Sequence, residues 1–402
     1  MSSPSRALLA DRHFRGFWLA QTCLAGIGGT MRFAFVWLVV TLTDWTAAEG
    51  IVAGLLGLPA MLFSAAAGTW SDRADRKRLF TTWTTVTVVL LAVFTVVIAV
   101  GWATPFVTGV AAVVVGTAVM INPPNVNAMV PLLVDPGRLV NAIALQNGAM
   151  NAANVGAVIF AGIAIELFGD AGGFALLTVL ASLAVVFMRP VVLPVSENTA
   201  PTERFMAALR TGLRYTWSTE PVRTMVLLSL VLGSSFSVIQ INVPRVVESD
   251  FGREAASAGA VMGAFGIGMM LSSLYVANRP VGRHGLNVAV FIGVGLGGGQ
   301  FALSLAPSWR SALIVMLLWG VNAGLAMASH RTILQKATAP EMMGRVMGLM
   351  MTGFMGGLPI GAAASSVLAL SFDPAQTMTV VGLCTVAISI SLSWRPSIVR
   401  LR

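Results

Sequence analysis

The stretch GTWSDRADRKRLF, residues 68–80, carries six charges in the seven positions 72–78 and stands between apolar runs at about 50–70 and 80–102. A charge cluster that dense, flanked by segments that long and apolar, marks a loop at a membrane surface. Further apolar runs occur at about 16–40, 105–130, 140–167, 172–194, 222–247, 255–277, 287–306, 310–331, 343–370 and 375–394. At about 20 residues per crossing these are twelve spans, and an even number puts both termini on one side. Composition agrees: 56% of the 402 residues are hydrophobic and 10% are charged, against about 25% charged in soluble domains. Mean hydropathy is +0.83.

The basic residues are distributed unequally. If the N-terminus is cytoplasmic, the inner segments hold 21 Lys and Arg, whereas the outer loops hold 2, Arg253 and Arg310. That asymmetry predicts cytoplasmic termini. It also accounts for the net charge of +9, which leaves no basic patch to assign to nucleic acid. The N-terminal MSSPSRALLADRHFRGFW lacks the short apolar core and cleavage site of a signal peptide. With 23 Arg to 2 Lys and many Ala, Gly and Val, the composition suits a bacterial source and hence a bacterial cytoplasmic (inner) membrane. Cys23 and Cys384 both fall in apolar runs, so neither a disulfide nor a metal site is expected. Neither a nucleophile–base pair nor a glycine-rich phosphate loop is visible, so an enzyme or an ATP-driven pump is not expected, and no cofactor is implied.

The longest polar stretch, RPVVLPVSENTAPTERFMAALRTGLRYTWSTEPVR (189–223), splits the chain into two halves. The expected domains are a six-helix bundle over 1–194, a cytoplasmic linker over 195–221 and a second six-helix bundle over 222–402. Within the linker, ERFMAALRTGLRYTW has apolar residues at helical spacing with arginines between them, as in an amphipathic helix lying on the inner surface. The halves also repeat. Pro131 of VPLLVDPGRLVNAI and Pro340 of APEMMGRVMGLM are 209 residues apart, and the same offset carries AEGIVAG (48–54) onto SAGAVMG (257–263). Two related six-helix halves predict a transporter with its site near the bilayer midplane.

The order Gly68, Asp72-Arg73, Arg76-Lys77-Arg78 resembles the G-x-x-x-D-R-x-x-R-[KR]-[RK] signature of the major facilitator superfamily. The branch it most resembles contains enterobactin-exporter-like and macrolide-efflux-like members, and PEMMGRVMG (340–348) is similar to that branch's P-x-x-x-G-R-V segment. The resemblance implies an all-α membrane protein with two pseudo-symmetric bundles around a central cavity, working by alternating access. It implies a proton-coupled exporter of small amphipathic or anionic compounds, acting as a monomer among membrane lipids. Import of a small organic anion is the alternative, and a non-transporting receptor the remote one. Gly68, Asp72, Arg73, Arg76, Gly344 and Arg345 would form the cytoplasmic gate. The chain departs from the family in three places. Span four lacks a basic residue, Ala157 follows Gly156 where a proline is common, and span one has Gly29 where branch members often carry an acid.

In this superfamily spans one, four, seven and ten line the cavity. Gln21, Ala25, Gly28 and Arg32 share one face of span one. Arg32, within GGTMRFAFVWLVV (28–40), lies about 15 Å from the outer end of its helix, too deep for easy snorkelling. Either a structural bridge, to Glu166 or to backbone carbonyls, or a substrate contact is expected. No acid stands mid-span, which disfavours cationic substrates and favours anionic or carbonyl-rich ones. Asn122, Asn125, Gln240 and Asn322 are the further candidates for substrate binding. Glu166 and His330 are the candidates for ion coupling, His330 with an interfacial position expected. Arg245, after Pro244, is expected to snorkel or to make an outer-gate contact.

Overall fold

The computed structural model describes residues 8–43, 45, 47–56, 75–135, 138–193, 205–278, 288, 290–292 and 294–394, and among them no strand occurs. In hydrocarbon every backbone amide must be satisfied within its own segment, which for these apolar runs means helix. The first helices are α1 (Arg12–Leu42), α2 (Ala47–Leu56), α3 (Arg76–Ala99), α4 (Pro105–Met120), α5 (Asn122–Leu133), α6 (Leu139–Phe168) and α7 (Asp170–Met188). They are followed by α8 (Phe205–Ser218), α9 (Glu220–Ser249), α10 (Ala255–Asn278) and α11 (Gly295–Ser304). The last are α12 (Trp309–Ala337), α13 (Met343–Leu368) and α14 (Pro374–Ser393). Among the described residues nine helices are long and apolar enough to cross a membrane, and α2 and α4 are shorter apolar helices.

Local chemistry sets the helix ends. The Asp75 carboxylate accepts from the amides of Lys77 and Arg78 and so starts α3. Thr104 caps α4 ahead of Pro105, and Asp373 forms a capping box with Gln376 ahead of Pro374 in α14. Pro123-Pro124 sit in the first turn of α5, where the missing amide hydrogens cost nothing. Gly169, with φ +71°, makes the turn from α6 to α7.

The chain divides into two compact units. One comprises Met1–Leu42, Leu58–Ala200 and Glu254–Gly259; the other comprises Thr43–Gly57, Pro201–Arg253 and Ala260–Arg402. Each unit thus takes in a short segment from the other half of the sequence. In the first unit an aromatic cluster binds α1, α3 and α7. Phe35 stacks on Phe94 with centroids 5.4 Å apart, and Phe174 meets both edge-on at 4.9 and 5.0 Å. At the other end of α1 a glycine lets the backbones close in: a Cβ at Gly16 would stand 2.7 Å from the Phe187 carbonyl.

The second unit is built around α9 and α13, which meet along a glycine ladder. Gly353, Gly357 and Gly361 recur every fourth residue on α13 and face Val226, Leu230 and Ser234, also every fourth residue, on α9. This is the small-residue packing that membrane helices rely on where burial of apolar surface gives no net drive. In α8, Arg210, Leu213, Arg214 and Trp217 are exposed while Gly212 lies against Arg345 and Leu349.

The two borrowed segments follow the same rule. Gly50 of α2 packs on Ala362 and Ser366 of α13 in the second unit, and the Ser366 hydroxyl donates to the Ala47 carbonyl at 3.2 Å. Gly259 packs on Val158 and Gly162 of α6 in the first unit. Gly50 and Gly259 are 209 residues apart, so the repeat seen in the sequence is a repeat of these two close approaches.

Gly357→Ala puts a methyl group against the Leu230 carbonyl, whereas a Cβ at Gly356 meets nothing within 4 Å. Thermal unfolding in detergent will therefore show Gly357→Ala destabilised by about 1–3 kcal/mol and Gly356→Ala at or slightly above the parent value.

Candidate functional site

In the first unit, α1 carries Gln21 and Arg32 on its polar stripe. Gln21 is buried and its Oε1 has no hydrogen-bond partner. The Nη1 of Arg32 is likewise buried without a partner. Among the described residues no ion pair or hydrogen bond reaches the Arg32 side chain, and Glu166, near the end of α6, is exposed. The expected bridge to Glu166 is therefore not made. On the stripe a Cβ at Gly28 would meet nothing within 4 Å, whereas beside it one at Gly29 would stand 2.8 Å from the Asn154 side chain.

Asn122 and Asn125, at the start of α5, are both fully buried and both turn toward α3. The Asn122 amide donates to Thr84 Oγ1 at 3.3 Å, while its Oδ1 is unpartnered. The Asn125 amide donates to the Arg76 carbonyl at 2.8 Å. Asn125 therefore holds the first residue of the helix that follows the charged loop. Gly68, Asp72 and Arg73 lie outside the described residues.

In the second unit, Gln240 of α9 keeps a buried, unpartnered Oε1, and the hydroxyl of Ser237 nearby on the same helix is in the same condition. The Asn322 amide donates to the Phe291 carbonyl at 3.0 Å, with its side chain against Gly295. Gly344 and Arg345 open α13, and Arg345 Nη1 lies 3.9 Å from the Met342 sulfur. His330 is buried rather than interfacial. Its Nε2 lies 2.8 Å from the Met225 carbonyl and 3.3 Å from Ser229 Oγ. A carbonyl can only accept, so Nε2 carries the hydrogen.

One cluster in this unit escaped the reading of the sequence. Arg245, buried near the end of α9, sends Nε and Nη2 to Glu49 Oε1, both at 2.7 Å, and Nη2 also to the Thr43 carbonyl at 2.9 Å. Its Nη1 lies 3.5 Å from Glu248. Glu49 is 2% exposed, and among the described residues it is the one carboxylate buried to that degree. Arg245 thus does not snorkel, and an acid does stand inside the protein. Two signals could have found it: Glu49 alone among small residues in TAAEGIVAG, and Arg245 alone in INVPRVV.

A family model described as transmembrane secretion effector, of the major facilitator superfamily, matches residues 3–398. The chain belongs to that family. It is accordingly a multi-pass membrane transporter that moves a small-molecule substrate rather than an enzyme. It is 24% identical over 361 residues, 87% of each chain, to the multidrug efflux pump Tap of Mycolicibacterium fortuitum. Among solved structures, the nucleoside transporter NupG superposes with a TM-score of 0.73 at 17% identity, over 94% of this chain and 96% of that one. A bacterial homolog of the human lysosomal transporter Spinster, crystallised inward-facing and occupied, gives 0.73 at 13%, over 98% and 97%. At these identities the two structures establish the shared fold.

Arg245, which is buried, and Arg32, which is partly buried, make opposite predictions. Arg245→Met leaves Glu49 buried without its counter-charge and will lower stability in detergent by about 3 kcal/mol. Arg32→Met removes a cation that meets no partner among the described residues, so the same assay will show it unchanged or stabilised by up to about 3 kcal/mol.

Proposed function

We propose that this transporter is a proton-coupled exporter of small amphipathic or anionic compounds, with Arg32 as the group that holds the anionic part of the substrate. The observation that carries the reading is the unpartnered Nη1 of Arg32 in the interior of α1. A central arginine costs about 2.5–3.5 kcal/mol in a membrane helix even on the lenient scale. Where the described residues supply no counter-charge, a bound carboxylate, sulfonate or phosphate would supply it, and with it a charge-assisted bond. Gln21 Oε1 on the same face is a further unpartnered polar atom suited to the substrate's hydroxyl or amide donors, and in the second unit Gln240 is a separate candidate for substrate contact. Asn122 Oδ1 offers another acceptor. Asn125 and Asn322 are already engaged with backbone carbonyls and act in this reading as positioning residues.

Export as the direction is supported by the likeness to a multidrug efflux pump over 87% of the chain. The preponderance of basic residues on one set of loops supports cytoplasmic termini in a bacterial inner membrane. In this reading Arg76 and Arg345, with Gly68, Asp72, Arg73 and Gly344, serve the cytoplasmic gate. The protein works as a monomer.

The test is transport in proteoliposomes under an imposed pH gradient, with carboxyfluorescein as the anionic amphipath and ethidium as its cationic counterpart. Carboxyfluorescein will move against its gradient. Arg32→Ala will reduce its kcat/KM by about 10- to 100-fold, the loss of one charge-assisted contact, and Arg32→Lys will restore part of it. An Arg32→Ala variant that transports both probes as the parent does would refute the assignment.

A further inference from the structure

We propose that Glu49 is the group that binds and releases the coupling proton, and that Arg245 is the partner the proton displaces. The proposal rests on the proton-coupled reading above and gives it a site. Four observations carry it. Glu49 is the one carboxylate among the described residues that is buried to 2%, whereas Glu166, Glu248 and Asp250 are exposed. Its Oε1 accepts two bonds from a single guanidinium, so its ionised state depends on that one cation. The same guanidinium grips the chain a second time at the Thr43 carbonyl, just ahead of α2, so one side chain ties both ends of the segment 43–49 to α9. Finally, Glu248, with 44% of its side chain exposed, lies against the third nitrogen and gives the cluster an edge on water.

The charged groups acting on Glu49 are Arg245 and Glu248, both from α9. From α13 the segment meets Ala362 and Ser366, which do not titrate, and the basic residue of that helix, Arg345, is at its other end. The step is therefore simple. A proton from water adds to the Glu49 carboxylate and gives a neutral acid. Arg245 keeps its charge, loses its buried counter-ion and turns to Glu248, the remaining carboxylate in reach. The tie from Arg245 to Thr43 and Glu49 is then lost, while the Gly50 contact and the Ser366 hydrogen bond to Ala47 remain. Loss of the proton restores the pair and the tie. A buried pair suits this role because removing one of its charges costs several kcal/mol, enough to shift a two-state segment by a large factor.

His330 is the competing titratable group. It is fully buried, and its Nε2 is already committed to the Met225 carbonyl and Ser229. No acid pairs with it among the described residues.

The first test needs no substrate. Spin labels at Trp45→Cys and Asp250→Cys, both exposed positions, are placed in the full-length chain with Cys23→Ala and Cys384→Ala and reconstituted in lipid. Pulsed electron spin resonance then follows their separation between about pH 5 and 8. A longer distance will grow in as pH falls, Glu49→Gln will hold that longer distance at every pH, and Glu49→Asp will keep the response. A distance that ignores pH, or that still responds in Glu49→Gln, overturns the proposal. The second test separates this assignment from the reading beneath it. In proteoliposomes a two-unit pH gradient drives one-for-one exchange toward about a hundredfold accumulation. Glu49→Gln will bring the accumulation of carboxyfluorescein to a ratio of about one. A single symmetric size-exclusion peak and a cooperative thermal transition show that the variant is folded. A parent that ignores the pH gradient refutes proton coupling altogether; a coupled parent whose Glu49→Gln variant is also coupled refutes only the role of Glu49.

Discussion

The absence of water around the spans is the constraint on which the structure depends. It compels helix, because no other geometry satisfies the backbone within one segment. It also removes the usual reason for helices to associate, since lipid is as apolar as leucine. What remains is close approach, and the chain achieves it with glycine. The ladder of Gly353, Gly357 and Gly361 against α9 is the fullest instance. The same device seats α2 through Gly50 and the start of α10 through Gly259. These are the two segments that each unit takes from the other half of the sequence.

The same dry interior makes each buried charge conspicuous. Arg245 and Arg32 are chemically identical and stand in apolar helices, but among the described residues only Arg245 has a carboxylate in contact. A buried pair roughly balances its desolvation against its mutual attraction. A cation whose buried nitrogen meets no partner among the described residues lacks that balance.

Much of the fold was legible because it follows from composition. Long apolar runs, the unequal distribution of basic residues and the 209-residue repeat require only hydrophobicity and charge counting, and the charged motif at 68–80 pointed to the superfamily that the match over residues 3–398 shows. Site chemistry was legible less evenly. Arg32 announced itself, since nothing polar surrounds it in sequence. Glu49 did not, because it falls where an apolar run begins and reads there as the end of a loop. Its burial depends on α9 and α13, which arrive from the far half of the chain. His330 was misread for a related reason. An interfacial position follows from its place near a run's end, but α9 supplies both Met225 and Ser229 as cover. Partners contributed by a distant segment leave no trace in local spacing.

The repeat itself explains where the chemistry sits. At the 209 offset Gly50 matches Gly259, and each packs its helix start closely on another helix. Packing is therefore what the two halves share. The charges are what they do not share: Arg32 corresponds to Ile241, Glu49 to Ala258 and Arg245 to Val36. A duplicated bundle can retain symmetric packing indefinitely, because the same contacts stabilise both copies. A buried charge is different, since each added copy costs several kcal/mol unless it too finds a partner. Each of these ionic groups is for that reason without a charged counterpart at the matching position of the other half.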